Sequence, residues 1–288
     1  MALQYLTHNN YFTTSGHGTD WKVKLKPVTT IPNDWFNESI RSAKIIKDSF
    51  QGPLVLLFSG GLDSEYMVNI FKHARIDFKI AIISYGDYNK HDNMYAFNYC
   101  KENNIDPIVI DIDIHEFITS GKIIEIAKLA KCCAYQIPSI MHGVSKIDGT
   151  VVMANGEPYV KNFDGDWRWE ETERVNSYMN WFDINGISGT PDFLRYTPEM
   201  TVSFLMEPRV VQLVNNEHPG KLSTRTSKHM IYTKNFEIDK RAKFTGFEKL
   251  EQHPIMHNEV MQEFNILKKK YNGVFELGYN ELVDTLLT

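Results

Sequence analysis

Leu54-Val55-Leu56-Leu57-Phe58-Ser59-Gly60-Gly61-Leu62-Asp63-Ser64 is the stretch on which the fold of this chain turns. Five apolar residues read as a buried strand and end in a turn of serine, glycine and aspartate. Glu65 to Arg75 then reads as a helix with Tyr66, Met67, Ile70 and Phe71 on one face. A strand, a tight turn and a helix place the motif outside the carboxyl end of a strand, where open α/β sheets bind ligands. A helix start offers unsatisfied N–H groups and the positive end of a dipole, so it favours an anion. Gly60 and Gly61 allow positive φ and a close approach to phosphate. Ser59 and Ser64 add hydroxyl donors. Asp63 opposes an anion unless a cation lies between them, which points to Mg²⁺ against phosphate oxygens. The bland alternative is an ordinary strand-to-helix turn rich in Gly and Ser.

The turn lacks the Gly-x-x-x-x-Gly-Lys-Ser/Thr pattern of a P-loop and the Gly-x-Gly-x-x-Gly of a dinucleotide fold. Ser59-Gly60-Gly61-Leu62-Asp63-Ser64 resembles in full the PP-loop of the ATP pyrophosphatases. That superfamily includes asparagine synthetase, β-lactam synthetase and NAD synthetase. The resemblance implies that Ser59 to Ser64 grip the pyrophosphate of ATP and that Asp63 is a Mg²⁺ ligand. It implies an adenine site of backbone and apolar groups at the end of the second strand, at Ile82, Ile83 and Ser84; plain sheet core explains the isoleucines equally well. It covers residues 34–160, is thin over 161–288 and is absent over the first 33.

A strand–helix rhythm surrounds the motif. Helices are predicted over 34–50, with a stripe of Phe36, Ile40, Ala43 and Ile46, and over 89–103, 115–131 and 136–146. Apolar runs at 80–83, 107–112 and 150–154 read as further strands. Short apolar strands alternating with helices imply an α/β fold, an open parallel sheet with helices on both faces. By resemblance this is the adenine nucleotide alpha hydrolase-like fold. Residues 1–33 read as irregular with one strand near Trp21–Leu25, 34–164 as the ATP-binding domain, and 165–288 as a mainly helical substrate or lid subdomain. Thr197-Pro198-Glu199 is a helix start in that last part.

Two further stretches carry candidate chemistry. Ala154-Asn155-Gly156-Glu157-Pro158 resembles the second signature of the asparagine-synthetase-like branch, a strand running into Gly-Glu-Gly-x-Asp-Glu. Gly156 and Glu157 match; Pro158 and Val160 depart, and the metal-binding aspartate is absent at 160. Glu157 then takes on more of the metal or substrate work, or Asp164 or Asp166 supplies a carboxylate, or the segment is a simple turn. In the run Asp239 to Glu248, Lys243 is the candidate for a late lysine that some relatives place near the α-phosphate, with Arg241 and Lys240 behind it; a solvated charged face is the alternative.

The resemblance implies an ATP- and Mg²⁺-dependent ligase of the asparagine-synthetase-like branch, adenylating a substrate oxygen, most simply a carboxylate, for attack by a nitrogen nucleophile. Activation of a nucleobase or nucleic acid oxygen, with Trp167 or Trp169 stacking a base, is a rival; so is a protein that binds ATP without turnover. Residue 2 is Ala, and 50 residues before the motif are too few for a glutaminase domain, so ammonia, an amine or a separate glutaminase supplies nitrogen. A net charge of −5 argues against a polyanion partner. No apolar run reaches membrane-spanning length, and Met1-Ala2-Leu3-Gln4-Tyr5 has no signal-peptide pattern, so a cytoplasmic, membrane-free protein is the expectation. Cys100, Cys132 and Cys133 form no Cys-x-x-Cys and read as buried small hydrophobes.

Overall fold

The computed structural model describes residues 11–215, 228–241, 245–256 and 259–288. Strands β1 (Phe12–Ser15) and β2 (Lys22–Leu25) form an antiparallel pair ahead of helix α1 (Trp35–Ser49). Then follow β3 (Leu54–Leu57), α2 (Leu62–His73), β4 (Phe78–Ser84), α3 (Lys90–Glu102) and β5 (Ile108–Asp111). Helices α4 (Ile114–Thr119), α5 (Lys122–Leu129) and α6 (Ile137–Val144) lead to β6 (Thr150–Val152). Next come β7 (Val160–Phe163), β8 (Asp166–Thr172), α7 (Arg174–Asn185), β9 (Gly189–Thr190), α8 (Pro198–Leu205) and α9 (Pro208–Asn215). The remainder carries α10 (Lys228–Tyr232), α11 (Phe247–Leu250), α12 (Glu259–Tyr271), β10 (Val274–Gly278) and α13 (Tyr279–Leu287).

The alternation of side chains along each strand builds two cores. Leu54, Leu56, Ile80, Ile82 and Val152 face one side, against α1, α2, α3 and α8. Val55, Ala81, Ile83, Ile110 and Val151 face the other, against α5, α6, α7 and α12. The five strands are parallel in the order β5-β4-β3-β6-β9. This is the open parallel sheet covered on both faces, with a largely helical C-terminal part, that the sequence predicts. Chain order reverses between β3 and β6, and the carboxyl ends of these two strands are where open sheets of this kind place a ligand crevice. The PP-loop-like turn follows β3, and Gly156-Glu157 lies beyond β6.

Several elements differ from the sequence reading. The single helix predicted over 115–131 is two, because Gly121 adopts φ +77° between α4 and α5. In α1 the buried face is Trp35, Glu38, Ser39, Ser42, Ala43 and Ile46, rotated from the predicted stripe; Phe36 and Ile40 are only half-buried. The rotation is possible because the small polar residues find partners: Ser39 Oγ donates to Trp35 O at 2.7 Å and lies 3.0 Å from the Tyr66 hydroxyl. Within 165–288 the structure adds β8, β9 and β10, and β10-β8-β7 is an antiparallel sheet. Trp167 and Trp169 alternate inward from β8 and are buried with Phe12, Leu282 and Leu286. The helix start at 197 is as expected: the Thr197 side chain accepts from Met200 N. No helix among the described residues is long and apolar enough to cross a membrane.

Candidate active site

The turn after β3 is shaped by two glycines with different duties. Gly60 has φ +79°, and a Cβ there would lie 1.9 Å from the Asp92 carbonyl oxygen, so the turn is pressed against the start of α3. Gly61 is the N-cap of α2, with ordinary φ and no side-chain capping bond. The first amides of α2, at Leu62, Asp63 and Ser64, therefore belong to the orphan donors of a helix start. The serines support the turn from within: Ser64 Oγ donates to Gly61 O at 2.9 Å, Gly61 N donates to Ser59 Oγ at 3.4 Å, and the two hydroxyls are 3.2 Å apart.

Across the crevice, three side chains far apart in sequence meet. Lys228, the first residue of α10, donates from Nζ to Asp63 Oδ1 (3.0 Å) and Oδ2 (2.8 Å) and to Glu157 Oε2 (3.0 Å). Burial alone would lower the Lys228 pKa; Asp63 and then Glu157 outweigh it and hold it above its ordinary value. Tyr232, one turn along the same helix, donates to Asp63 Oδ1 at 2.9 Å. Burial, then Asp63 and Glu157, push its hydroxyl far above the usual range, so it remains a donor. Its ring stacks on Tyr66 at 4.3 Å and 16°, and Tyr66 stacks in turn on Trp35. This aromatic ladder docks α10 on α2.

Gly156 has a local reason to be glycine: φ is +85°, and a Cβ would lie 2.4 Å from Arg195 Cγ. Arg195 is itself buried and paired with Asp192 at 2.9 Å and Glu171 at 3.2 Å. Glu157 is thus carried on a turn braced from below by a buried ionic cluster.

The other candidates are placed as follows. Ile82 and Ile83 lie in the two sheet cores, and the Ile83 carbonyl already accepts from the Asn89 and Asn93 amides at 2.9 and 3.1 Å. Ser84 stays half-exposed at the end of β4. Arg241 is buried away from the carboxylate pair: it pairs with Glu65 and lies over the Tyr95 ring at 4.5 Å. Burial raises the Glu65 pKa, opposed by Arg241. Lys240 is exposed, and Lys243 lies outside the described residues. Asp164 and Asp166 are exposed at the β7–β8 turn, Asp166 bonded to Arg168 at 2.7 Å, so neither joins Glu157. Val160 is fully buried in β7. Burial pushes the Cys100 thiol up to about 11 and Cys132 to about 12, as suits inert core residues.

Lys228 and Tyr232 had no signal in the sequence beyond helical i, i+4 spacing. Their partner Asp63 was legible because its turn is local. Two carboxylates converging on one point suit Mg²⁺, which takes one or two carboxylates and fills its remaining positions with water and substrate phosphates. Among the described residues no group of three or more His, Cys, Asp or Glu side chains could hold a metal unaided.

No family model matches the chain, and no curated protein matches it. Among solved structures, an NH3-dependent NAD synthetase from Campylobacter jejuni subsp. jejuni NCTC 11168, in complex with nitrate ion, is similar at 14% identity and a TM-score of 0.38. The match covers 88% of this chain and 95% of that one.

Proposed function

We propose that this chain is an ATP-dependent ligase that forms AMP and pyrophosphate. The observation that carries this reading is the meeting of Asp63, beyond β3, and Glu157, beyond β6, on Lys228 over the crevice where strand order reverses. In this reading the first amides of α2, with Ser59 and Ser64, hold the β- and γ-phosphates. Asp63 and Glu157 hold Mg²⁺, which when bound neutralises phosphate charge. A substrate oxygen, a carboxylate for preference, attacks the α-phosphorus. The bond from that phosphorus to the bridging oxygen breaks, and pyrophosphate leaves with the electron pair. Lys228 supplies positive charge to the α-phosphate as negative charge grows there. A nitrogen nucleophile then attacks the acyl carbon of the adenylate. AMP departs with the C–O electron pair, and the nitrogen loses a proton. Positioning and charge carry both steps, with no covalent bond to the enzyme. Ammonia, an amine, or ammonia from a separate glutaminase serves as nitrogen source.

Retention of ATP without turnover is a second reading, favoured by buried Val160 where the resemblance puts a metal-binding aspartate. Activation of a nucleobase loses its stacking platform, since Trp167 and Trp169 are core residues.

The test is incubation with α-labelled ATP, Mg²⁺, ammonia and a pool of small carboxylic acids, with Asp63→Ala as control. AMP and pyrophosphate in equal amounts, lost in the variant, are the expected outcome. ADP and phosphate would sink the reading. Tight ATP binding without either product would favour the second.

A further inference from the structure

The Lys228 ammonium sits in the space that a divalent cation bound by Asp63 and Glu157 needs. Its nitrogen is 2.8 Å from Asp63 Oδ2 and 3.0 Å from Glu157 Oε2. An ion at the short Mg²⁺–oxygen distance from the same two oxygens cannot share that space with an ammonium, and the two like charges repel strongly in a half-buried setting. We propose that Lys228 and a divalent cation are alternative occupants of this carboxylate pair, so that metal entry releases Lys228 toward the nucleotide. The proposal rests on the ligase reading of the site.

Three features make the exchange workable. Lys228 opens α10, and a helix start does not favour a cation, so the carboxylates are what hold its head in place. Its four-carbon stem lets the ammonium swing while the backbone stays docked. Asp63 keeps its aim during the exchange, because Tyr232 donates to Oδ1 from a fully buried ring stacked on Tyr66. Oδ2 is the oxygen left for the incoming ion. The exchange also orders events: Lys228 becomes available to the α-phosphate only once the metal has taken the carboxylates, so free ATP without metal meets a lysine still held by Asp63 and Glu157.

The test is Mn²⁺ binding to the full chain, without nucleotide, followed by electron paramagnetic resonance. Lys228→Met removes the competing charge and should bind Mn²⁺ about tenfold more tightly or better, whereas Lys228→Arg, which keeps the charge, should stay near wild type. Equal or weaker binding by Lys228→Met would overturn the proposal. Should that variant fold poorly after chelation, Lys228→Gln serves with a thermal readout. Its melting temperature should rise more on adding Mn²⁺ than that of wild type, and an equal or smaller rise overturns the exchange. These readouts need no turnover. Tighter Mn²⁺ binding with no AMP from any substrate would leave the exchange standing and remove the ligase reading; AMP formation with unchanged Mn²⁺ binding would do the reverse.

Discussion

Gly60 and Gly61 stand side by side in the turn, yet substitution should separate them. Gly60→Ala places a methyl group 1.9 Å from a backbone oxygen at φ +79°. Strain and overpacking together should cost about 2–4 kcal/mol, read as a lower denaturant midpoint. Gly61→Ala meets only Ser59 Oγ, at 3.4 Å, with ordinary φ. It should fold normally and bind ATP weakly, because its methyl group blocks the phosphate's approach; unimpaired nucleotide binding would show that the phosphates do not sit there. The contrast marks what was legible residue by residue. Ser59 to Ser64 could be read because turn, donors and carboxylate are contiguous. Lys228 could not, because its meaning depends on Asp63 and Glu157 arriving from elsewhere; in the run Asp239 to Glu248 the candidate is Lys243, which lies outside the described residues, and Arg241 behind it is a buried strut. His142 offers a second residue-scale check. Burial, with Lys122 and Lys146 nearby, lowers its pKa from 6.5 to about 4. Between those values the unfolded chain binds a proton that the folded one does not, so stability falls as pH drops from 6.5 to 4. His142→Gln should flatten that part of the stability profile measured by denaturant titration; an unchanged slope would show that other groups govern it.

Elements were legible where their pattern was long and local, and lost where a partner decides them. The β7–β8 hairpin does alternate, with Trp167 and Trp169 inward and Arg168 outward, but its aromatic content resembles a loop or lid until β10 is seen beside it. The two residues of β9 are too short for any periodicity and exist as a strand through pairing with β6. Helix α2 shows how one element is fixed at its start by a distant segment. Glu65, in its first turn, and Arg241 are 8% and 5% exposed and pair with each other. Arg241→Met leaves the carboxylate buried without its cation and should cost about 3–5 kcal/mol. Glu65→Leu with Arg241→Met removes both charges and should recover most of that loss, a non-additivity that a double-mutant cycle by thermal or chemical melting would measure. Additive losses would mean that Arg241 matters chiefly through its stacking on Tyr95.

At the scale of the whole molecule, the parallel sheet and the later antiparallel sheet are joined by shared apolar side chains. Val175 packs against both the core beneath α5–α7 and the cluster around Trp169, while Val214 and Tyr279 join that cluster to the core beneath α1–α3. The last helix is tied to two earlier segments: Val28 N donates to Leu286 O at 2.7 Å, and the Tyr279 hydroxyl donates to Leu205 O in α8, also at 2.7 Å. Contacts therefore run between residues on either side of position 164. The consequence is cooperative unfolding. Leu286 is fully buried between the β8 face and the N-terminal strands. Leu286→Ala should cost about 2–5 kcal/mol through lost burial and the cavity left behind. That loss should appear equally in the tryptophan fluorescence of a background in which Trp21, Trp35 and Trp181 are Phe, so that Trp167 and Trp169 alone report, and in the far-ultraviolet signal dominated by the helices around the parallel sheet. Coincident midpoints that move together in the variant are the expected result. If the tryptophan signal shifted while the helical signal kept its wild-type midpoint, the C-terminal layer would be an independent unit. Lys228 and Tyr232 would stay with the parallel sheet even then, because Ile231 and Tyr232 pack in the core beneath α1–α3.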